Sequence, residues 1–286
     1  MSLAELPRRG AAVRELDLPL PADPVAATGM PIIRAGRPLK RWRYLGVYGP
    51  DLMLCAGDAR IGPVPQRWWA VLERGRPLRE RTSAGRAGMR LDAHSLRIES
   101  GDVRAEVEFE REARGPAVES VSRNGRRGYV WTRKQAGVPA RGFVEIGGER
   151  AAVDCDAVVD ETAGYHERHT AWCWSAGVGR AESGERVGWN LVSGVNDDAV
   201  ASERTLWVEG EPSEVGPSRF ADDLSAVSFP GGRLSFSEWG SRTHRTNLLV
   251  MRSSYRQPFG EFRGELPGGL RLEAGYGVME WHDVRW

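Results

Sequence analysis

Residues 95–110 read SLRIESGDVRAEVEFE. In the second half of this stretch Val103, Ala105, Val107 and Phe109 alternate with Arg104, Glu106, Glu108 and Glu110. A strand points successive side chains to opposite faces, so a period of two marks a strand buried on one side only. Ser95–Ser100 is its partner arm, and Gly101-Asp102 supplies the tight turn, because glycine accepts positive φ. An antiparallel hairpin is the first element that the sequence dictates.

The same style continues in both directions. Arg41–Tyr48, Asp51–Ile61, Gln66–Glu73 and Leu78–Thr82 are short apolar runs separated by Gly and Pro, and GYVWTRKQ (128–135), ARGFVEIGG (140–148) and ERAAVDCDAVVD (149–160) follow. HTAWCWSAGVG (169–179), ERVGWNLVSGV (185–195), ERTLWVEGE (203–211), GRLSFSEWG (232–240), TNLLVMRSSY (246–255) and LRLEAGYGVMEWHDV (270–284) repeat the pattern. A spacing of about ten residues suits antiparallel meanders, sandwiches or barrels. No long segment has a 3.6-residue period, so helix is expected only as short turns near 196–203 or 220–226. Residues 1–35 carry Pro7, Pro19, Pro21, Pro24 and Pro31. They read as an extended arm with room to lie on the body, its residues 1–30 loosely held because proline interrupts a hydrogen-bonded ladder. The expected organisation is this arm, a β domain over 36–155 and a second over 156–286.

The chain has 286 residues, enough to bury a core without disulfides or metal. Its 40 Lys+Arg against 39 Asp+Glu leave a formal charge of +1, which argues against a protein built to coat nucleic acid or an anionic membrane. No apolar run reaches membrane-spanning length, and the opening residues lack a secretory pattern. Cys55, Cys155 and Cys173 are odd in number and scattered. They predict reduced thiols in small core positions and a cytoplasmic setting, with no metal site and no cofactor motif. Lys40 and Lys134 are the only lysines, and eleven tryptophans are high for this length. Tryptophans in a β protein either pack a core or line an apolar cavity.

A family resemblance attaches to particular residues. They are Gly188-Trp189-Asn190-Leu191, then Ser202-Glu203-Arg204 and Trp207, Asn247-Leu248-Leu249, Phe259-Gly260 and Trp286, with an opening hairpin WRYLGVYGPDLMLCAGDARIG (42–62). Over residues 36–286 this pattern resembles the bacterial domain-of-unknown-function family 2804. That family is distantly similar to carotenoid hydratase and other lipocalin-like proteins. The resemblance implies an all-β fold of two consecutive antiparallel barrel or sandwich domains with little helix. Some of that broad group act on apolar polyene- or terpenoid-like molecules by acid–base chemistry.

Several constellations are candidate sites. In Tyr165–Trp174, Thr170, Trp172 and Trp174 share one strand face, while His169, Ala171 and Cys173 share the other. The face is either one wall of a Trp-lined cavity, with His169 at its mouth if the strand bulges, or a core ladder. His166 reads as a surface turn residue. Glu203 shares a face with Thr205 and Trp207, near Asn190 and Arg204. Burial there would raise its pKa and make it a general acid; a strand-entry ion pair is the alternative. Asp58 and Arg60 continue the apolar face of Leu52, Leu54 and Ala56, as the polar end of a cavity or as a rim salt bridge. Trp131, Arg133 and Gln135 share a face that could hold a polar head group or clasp two domains, with Lys134 pointing to solvent. The catalytic candidates are therefore Glu203, Asp58 and His169. The ligand-binding candidates are Trp131, Arg133, Trp172, Trp174, Asn190 and Trp207.

Three readings follow: a protein binding a small apolar ligand in a Trp-lined cavity, a hydratase, isomerase or cyclase acting on an apolar unsaturated molecule, and a structural protein with a closed core. A cavity holding a buried carboxyl would favour the second.

Overall fold

The computed structural model describes residues 3–22, 29–247 and 252–286; Pro24 of the arm and Leu248 and Leu249 of the family pattern lie outside these. Two large sheets, antiparallel throughout, account for the body. In the first, the strand order is Arg79–Ser83, Val64–Glu73, Leu52–Ile61, Lys40–Tyr48, Glu149–Gly164, Gly128–Ile146, Val103–Phe109, Ser95–Ser100 and Met89–Leu91. In the second it is Glu211–Glu214, Thr205–Val208, Arg186–Ser193, His169–Ala181, Leu270–Arg285, Arg252–Leu266, Gly232–Asn247, Ala226–Phe229 and Arg219–Phe220. The topology is the same twice. Four strands run outward from the centre, the chain crosses to the far edge, and five strands return until the last pairs with the first. In the first sheet Val118–Asn124 is added on Gly128–Ile146. The first sheet runs on through Gly164, so residue 155 falls inside one of its strands.

Each sheet curls into a half-barrel. The 95–110 hairpin shows why. Val103 pairs with Ser100 across Gly101, whose φ is +64°, and Leu96, Ile98, Ala105 and Val107 are buried while Arg104 and Glu108 face water. That buried face joins Leu45, Leu54, Trp69 and Val159 in the concave core of the first sheet. Trp189, Leu206, Phe262 and Met279 belong to the equivalent core of the second. The convex faces then pack on one another through Tyr44, Tyr48, Met53, Trp174, Phe259 and Val278. The central strands are thus buried on both sides. The segments near 196–203 and 220–226 form bends and a turn without helix; among the described residues the 3-10 turns are Leu3–Glu5, Gly10–Val13 and Pro267–Gly269.

The arm is docked rather than loose. Arg8–Arg9 pairs with Val121 and Ser120. Leu6, Val13, Leu18 and Met30 bury against Val121, Tyr129, Trp131 and Tyr165. Tyr129 donates to the Pro19 carbonyl at 2.7 Å and Tyr165 to that of Pro31 at 2.6 Å. The prolines exclude a long ladder, but their carbonyls still accept from tyrosines. Val13→Asp should undock this segment at a cost above about 2 kcal/mol, because a carboxylate would enter a site with no exposure. Limited proteolysis that cleaves residues 3–22 in the variant and spares them in the parent is the expected result.

Beneath the arm, Glu161 is fully buried. Arg43 Nε donates to its Oε1 at 2.8 Å, and Arg111 donates to both oxygens at 2.9 and 2.7 Å. This ion cluster separates the concave core from the arm-covered core.

Candidate functional site

Between the convex faces lies a cavity of about 180 Å³. The first sheet supplies Trp42, Tyr44, Trp68, Lys134 and Asp160; the second supplies Trp172, Trp174, Arg242, Tyr255, Gln257, Glu280 and His282, with Glu203 entering from the connection before Thr205–Val208. Trp68 can lie across the sheet because residue 57 is glycine: a Cβ there would collide with its indole.

Glu280 is the central polar group. Its neighbours on the same strand face are the buried Val278 and the cavity-lining His282, with the buried Val284 beyond. Trp172 Nε1 donates to Oε1 at 2.8 Å and Gln257 Nε2 donates to Oε2 at 2.9 Å. Among the described residues no cation lies within ion-pair distance of it. Burial pushes its pKa up from 4.5 to about 7, with Asp160 adding to the rise and Trp172, Tyr255 and Arg242 opposing it. His282 packs on Trp172 at 4.3 Å between ring centres and shares a 2.8 Å hydrogen bond with Ser253. Burial lowers its pKa to about 4, so the ring is neutral at pH 7.

A second polar wall faces the same space. Lys134 Nζ is 2.6 Å from Asp160 and 3.4 Å from Glu203. Asn196 donates to Glu203 at 3.1 Å. Burial raises the Glu203 pKa, Lys134 opposes that rise and Asp160 adds to it. Burial alone would depress Lys134, but its two carboxylates more than offset this and hold it charged. At the other end His166 stacks on Trp42 at 5.4 Å, and burial together with Lys40 lowers its pKa to about 3.

These shifts set a pH profile for stability. The folded pKa of Glu280 lies above its unfolded value, so its ionisation opposes folding progressively from pH 4.5 to about 7, by about 3 kcal/mol in full. His166 and His282 shift the other way, and their contribution is lost as pH falls below 6.5. Glu280→Gln should therefore gain about 3 kcal/mol relative to the parent between pH 4.5 and pH 8, read by urea unfolding at both. A constant difference between the two proteins would disprove the burial of that carboxyl.

The sequence-based candidates distribute as follows. Trp172, Trp174 and Glu203 line the cavity. Asn190 lies just behind it, accepting from Trp174 Nε1 at 2.8 Å and donating to the Glu203 carbonyl at 3.0 Å. Trp207 is in the inter-sheet core and donates to the Pro116 carbonyl at 3.2 Å. Asp58 forms a rim ion pair at 2.8 Å, with Arg67, which lies opposite it, rather than Arg60. His169 is exposed and paired with Asp283 at 3.1 Å, since its strand carries no bulge there to turn it inward. Trp131 lies under the arm and Arg133 pairs with Glu112, because their face is the concave one. Lys134, expected in solvent, takes the opposite face of that strand and enters the cavity; His166, expected at the surface, is buried. Asp160, Gln257, Glu280 and His282 were missed. A signal existed for both Glu280 and His282: in GVMEWHDV they fall on one strand face between the apolar Val278 and Val284.

Residues 74–286 match the family described as a domain of unknown function, DUF2804. The chain belongs to this family. No curated protein matches the DUF2804 chain. Among solved structures it is similar to kievitone hydratase from Nectria haematococca, with a TM-score of 0.51 at 11% identity, covering 85% of this chain and 88% of that one. CghA with bound Sch210972 gives a TM-score of 0.43 at 9% identity, covering 94% and 95%. A protein assigned as an AttH from Nitrosomonas europaea gives 0.48 at 11%, covering 85% and 91%. At 11% identity the likeness to kievitone hydratase is one of fold alone, and the fold of this DUF2804 member is a lipocalin-like, carotenoid-hydratase-like pair of β domains. Among the described residues no helix is long and apolar enough to cross a membrane, and no group of three or more His, Cys, Asp or Glu could hold a metal ion.

Proposed function

We propose that this protein is an acid–base catalyst that adds water to, or isomerises, a small apolar unsaturated molecule in the cavity between its two sheets. The observation that carries this reading is Glu280, a carboxyl buried in the Trp-lined cavity and held by two neutral donors, where burial pushes its pKa up to about 7. A general acid works best when its pKa lies near the working pH. Glu280 delivers its proton to one alkene carbon, and the π electrons form the new C–H bond. The cation left at the other carbon is stabilised by the faces of Trp172, Trp174 and Trp68. Water adds there and returns a proton to the Glu280 carboxylate; loss of a neighbouring C–H proton to the same carboxylate gives isomerisation instead. The Lys134–Asp160–Glu203 wall is placed to orient the water.

The cavity volume sets substrate size. An apolar cavity of about 150 Å³ holds benzene, so about 180 Å³ takes one substituted ring or a short branched chain. The same fold serves a hydratase in Nectria haematococca, which makes water addition a reaction this scaffold can house. A buried carboxyl favours catalysis over simple ligand carriage. The experiment is incubation of limonene, styrene and isoeugenol with the protein in D₂O, followed by mass spectrometry. Deuterium in recovered alkene or in an alcohol product is expected for at least one of them. Binding of all three without label in any would overturn the reading in favour of ligand carriage.

A further inference from the structure

We propose that the cavity is also a binding site for a small organic cation of single-ring size, held by the indole wall and the Glu280 carboxylate. The inference rests on the same cavity as the proposed function but not on turnover.

The charges around the cavity do not balance. Asp160, Glu203 and Glu280 are three lining carboxyls. Of the lining cations, Arg242 is matched by Glu80 at 2.8 Å and Lys134 remains; Lys40, just behind the lining over Trp286, acts on His166, and neither it nor Lys134 forms an ion pair with Glu280. Lys134 is already committed to Asp160 and Glu203. His166 and His282 are held neutral by burial and add no positive charge near pH 7. Glu280 is left with Trp172 and Gln257, both neutral donors, while Tyr255, Asp160 and Arg242 are the other polar groups acting on it. A buried carboxylate in this position is relieved in one of two ways: it takes a proton, or a cation moves in beside it.

The walls suit a cation. Aromatic faces attract positive charge through their quadrupole, most strongly for tryptophan and more so in a dry site. The same wall already does this internally: Lys40 sits 4.7 Å from the ring centre of Trp286, and Arg242 lies 5.6 Å from that of Tyr255. The indoles of Trp68, Trp172 and Trp174 also line this space, with His282 packed on Trp172 and Tyr44 edge-on to Trp174. A quaternary ammonium fits better than a metal ion or a primary amine, because it needs no hydrogen-bond acceptors and tolerates apolar walls.

Benzyltrimethylammonium and its uncharged carbon isostere neopentylbenzene form the matched pair of probes, with binding read by tryptophan fluorescence. At pH 8 the ammonium should bind at least about 10-fold tighter than the isostere. Its affinity should fall by up to about 10-fold on going to pH 6, as Glu280 takes up its proton, while the isostere shows no such change. Glu280→Gln should abolish both the preference and its pH dependence and still bind neopentylbenzene. Equal affinities at pH 8, or a preference that survives in Glu280→Gln, would overturn the proposal. If that variant does not fold, the pH dependence in the parent decides alone, and a flat profile sinks the idea. Cation binding without any deuterium incorporation would remove the catalytic reading and leave this one standing; incorporation without cation preference would do the reverse.

Discussion

Glu280→Gln is expected to slow the proposed protonation by about 10²- to 10⁴-fold, the usual loss when a positioned general acid is removed. The substitution is close to isosteric and deletes only the transferable proton. Trp172 Nε1 can still donate to the side-chain oxygen. Gln257 now donates Nε2 to Oε2, and Cys55 Sγ lies 3.9 Å from its Oε1. Rotation of the Gln257 amide would turn its oxygen toward the new amide. The fold should persist, and deuterium incorporation under single-turnover conditions is the measurement. A second signature separates chemistry from binding. The parent rate should fall as pH rises through about 7, because the acid form is consumed, while Glu280→Gln keeps a flat residual rate. An unchanged rate in the variant would assign the proton to another group, with Glu203 first in line.

Glu161→Ala should destabilise the protein by about 3–5 kcal/mol, the typical result of breaking a buried ion pair from one side. Burial pushes this carboxyl's pKa up, but Arg111 and Arg43 outweigh it and hold the group below the usual range. Removing the carboxylate leaves the Arg111 guanidinium inside the half-barrel, where its side chain is 8% exposed, with no charge to answer it. The loss should be far larger than that of Glu106→Ala in the exposed Arg104–Glu106 pair, whose charges water already screens. Urea unfolding of both variants tests the contrast. A loss under about 1 kcal/mol for Glu161→Ala would mean that water reaches Arg111. Because the cluster lies on the concave face, ligand binding in the cavity should survive in whatever fraction of the variant stays folded.

Much of the fold was legible because it depends on local pattern. VRAEVEFE alternates because one side of that strand meets water, and the period survives as Val103–Phe109. The grouping of Thr170, Trp172 and Trp174 on one face holds for the same reason. The strand Gly128–Ile146 was read with the same rule, and Trp131 and Arg133 do share a face opposite Lys134. What the rule cannot say is which face meets the cavity, since this strand is buried on both sides and polarity no longer marks the outside. Facing away from Trp131 and Arg133, Lys134 reads as solvated, whereas that opposite face is the one that meets the cavity.

By itself the sequence determined the all-β class, the two-domain style and the face shared by Trp172 and Trp174. Each of these rests on spacing within one strand or across one turn. Only the tertiary structure decided that the cavity lies between two convex faces rather than inside a barrel. That packing brings Asp160 and Lys134 from one sheet against Glu280 and Gln257 from the other, residues separated by roughly half the chain or less. It also turned the arm into a cover for Tyr129, Trp131 and Tyr165. The physical reason is common to all of these. Which partner a buried polar group finds, and how far its pKa moves, depends on desolvation and on charges brought in by another element, and neither is encoded in the spacing of the strand that carries it.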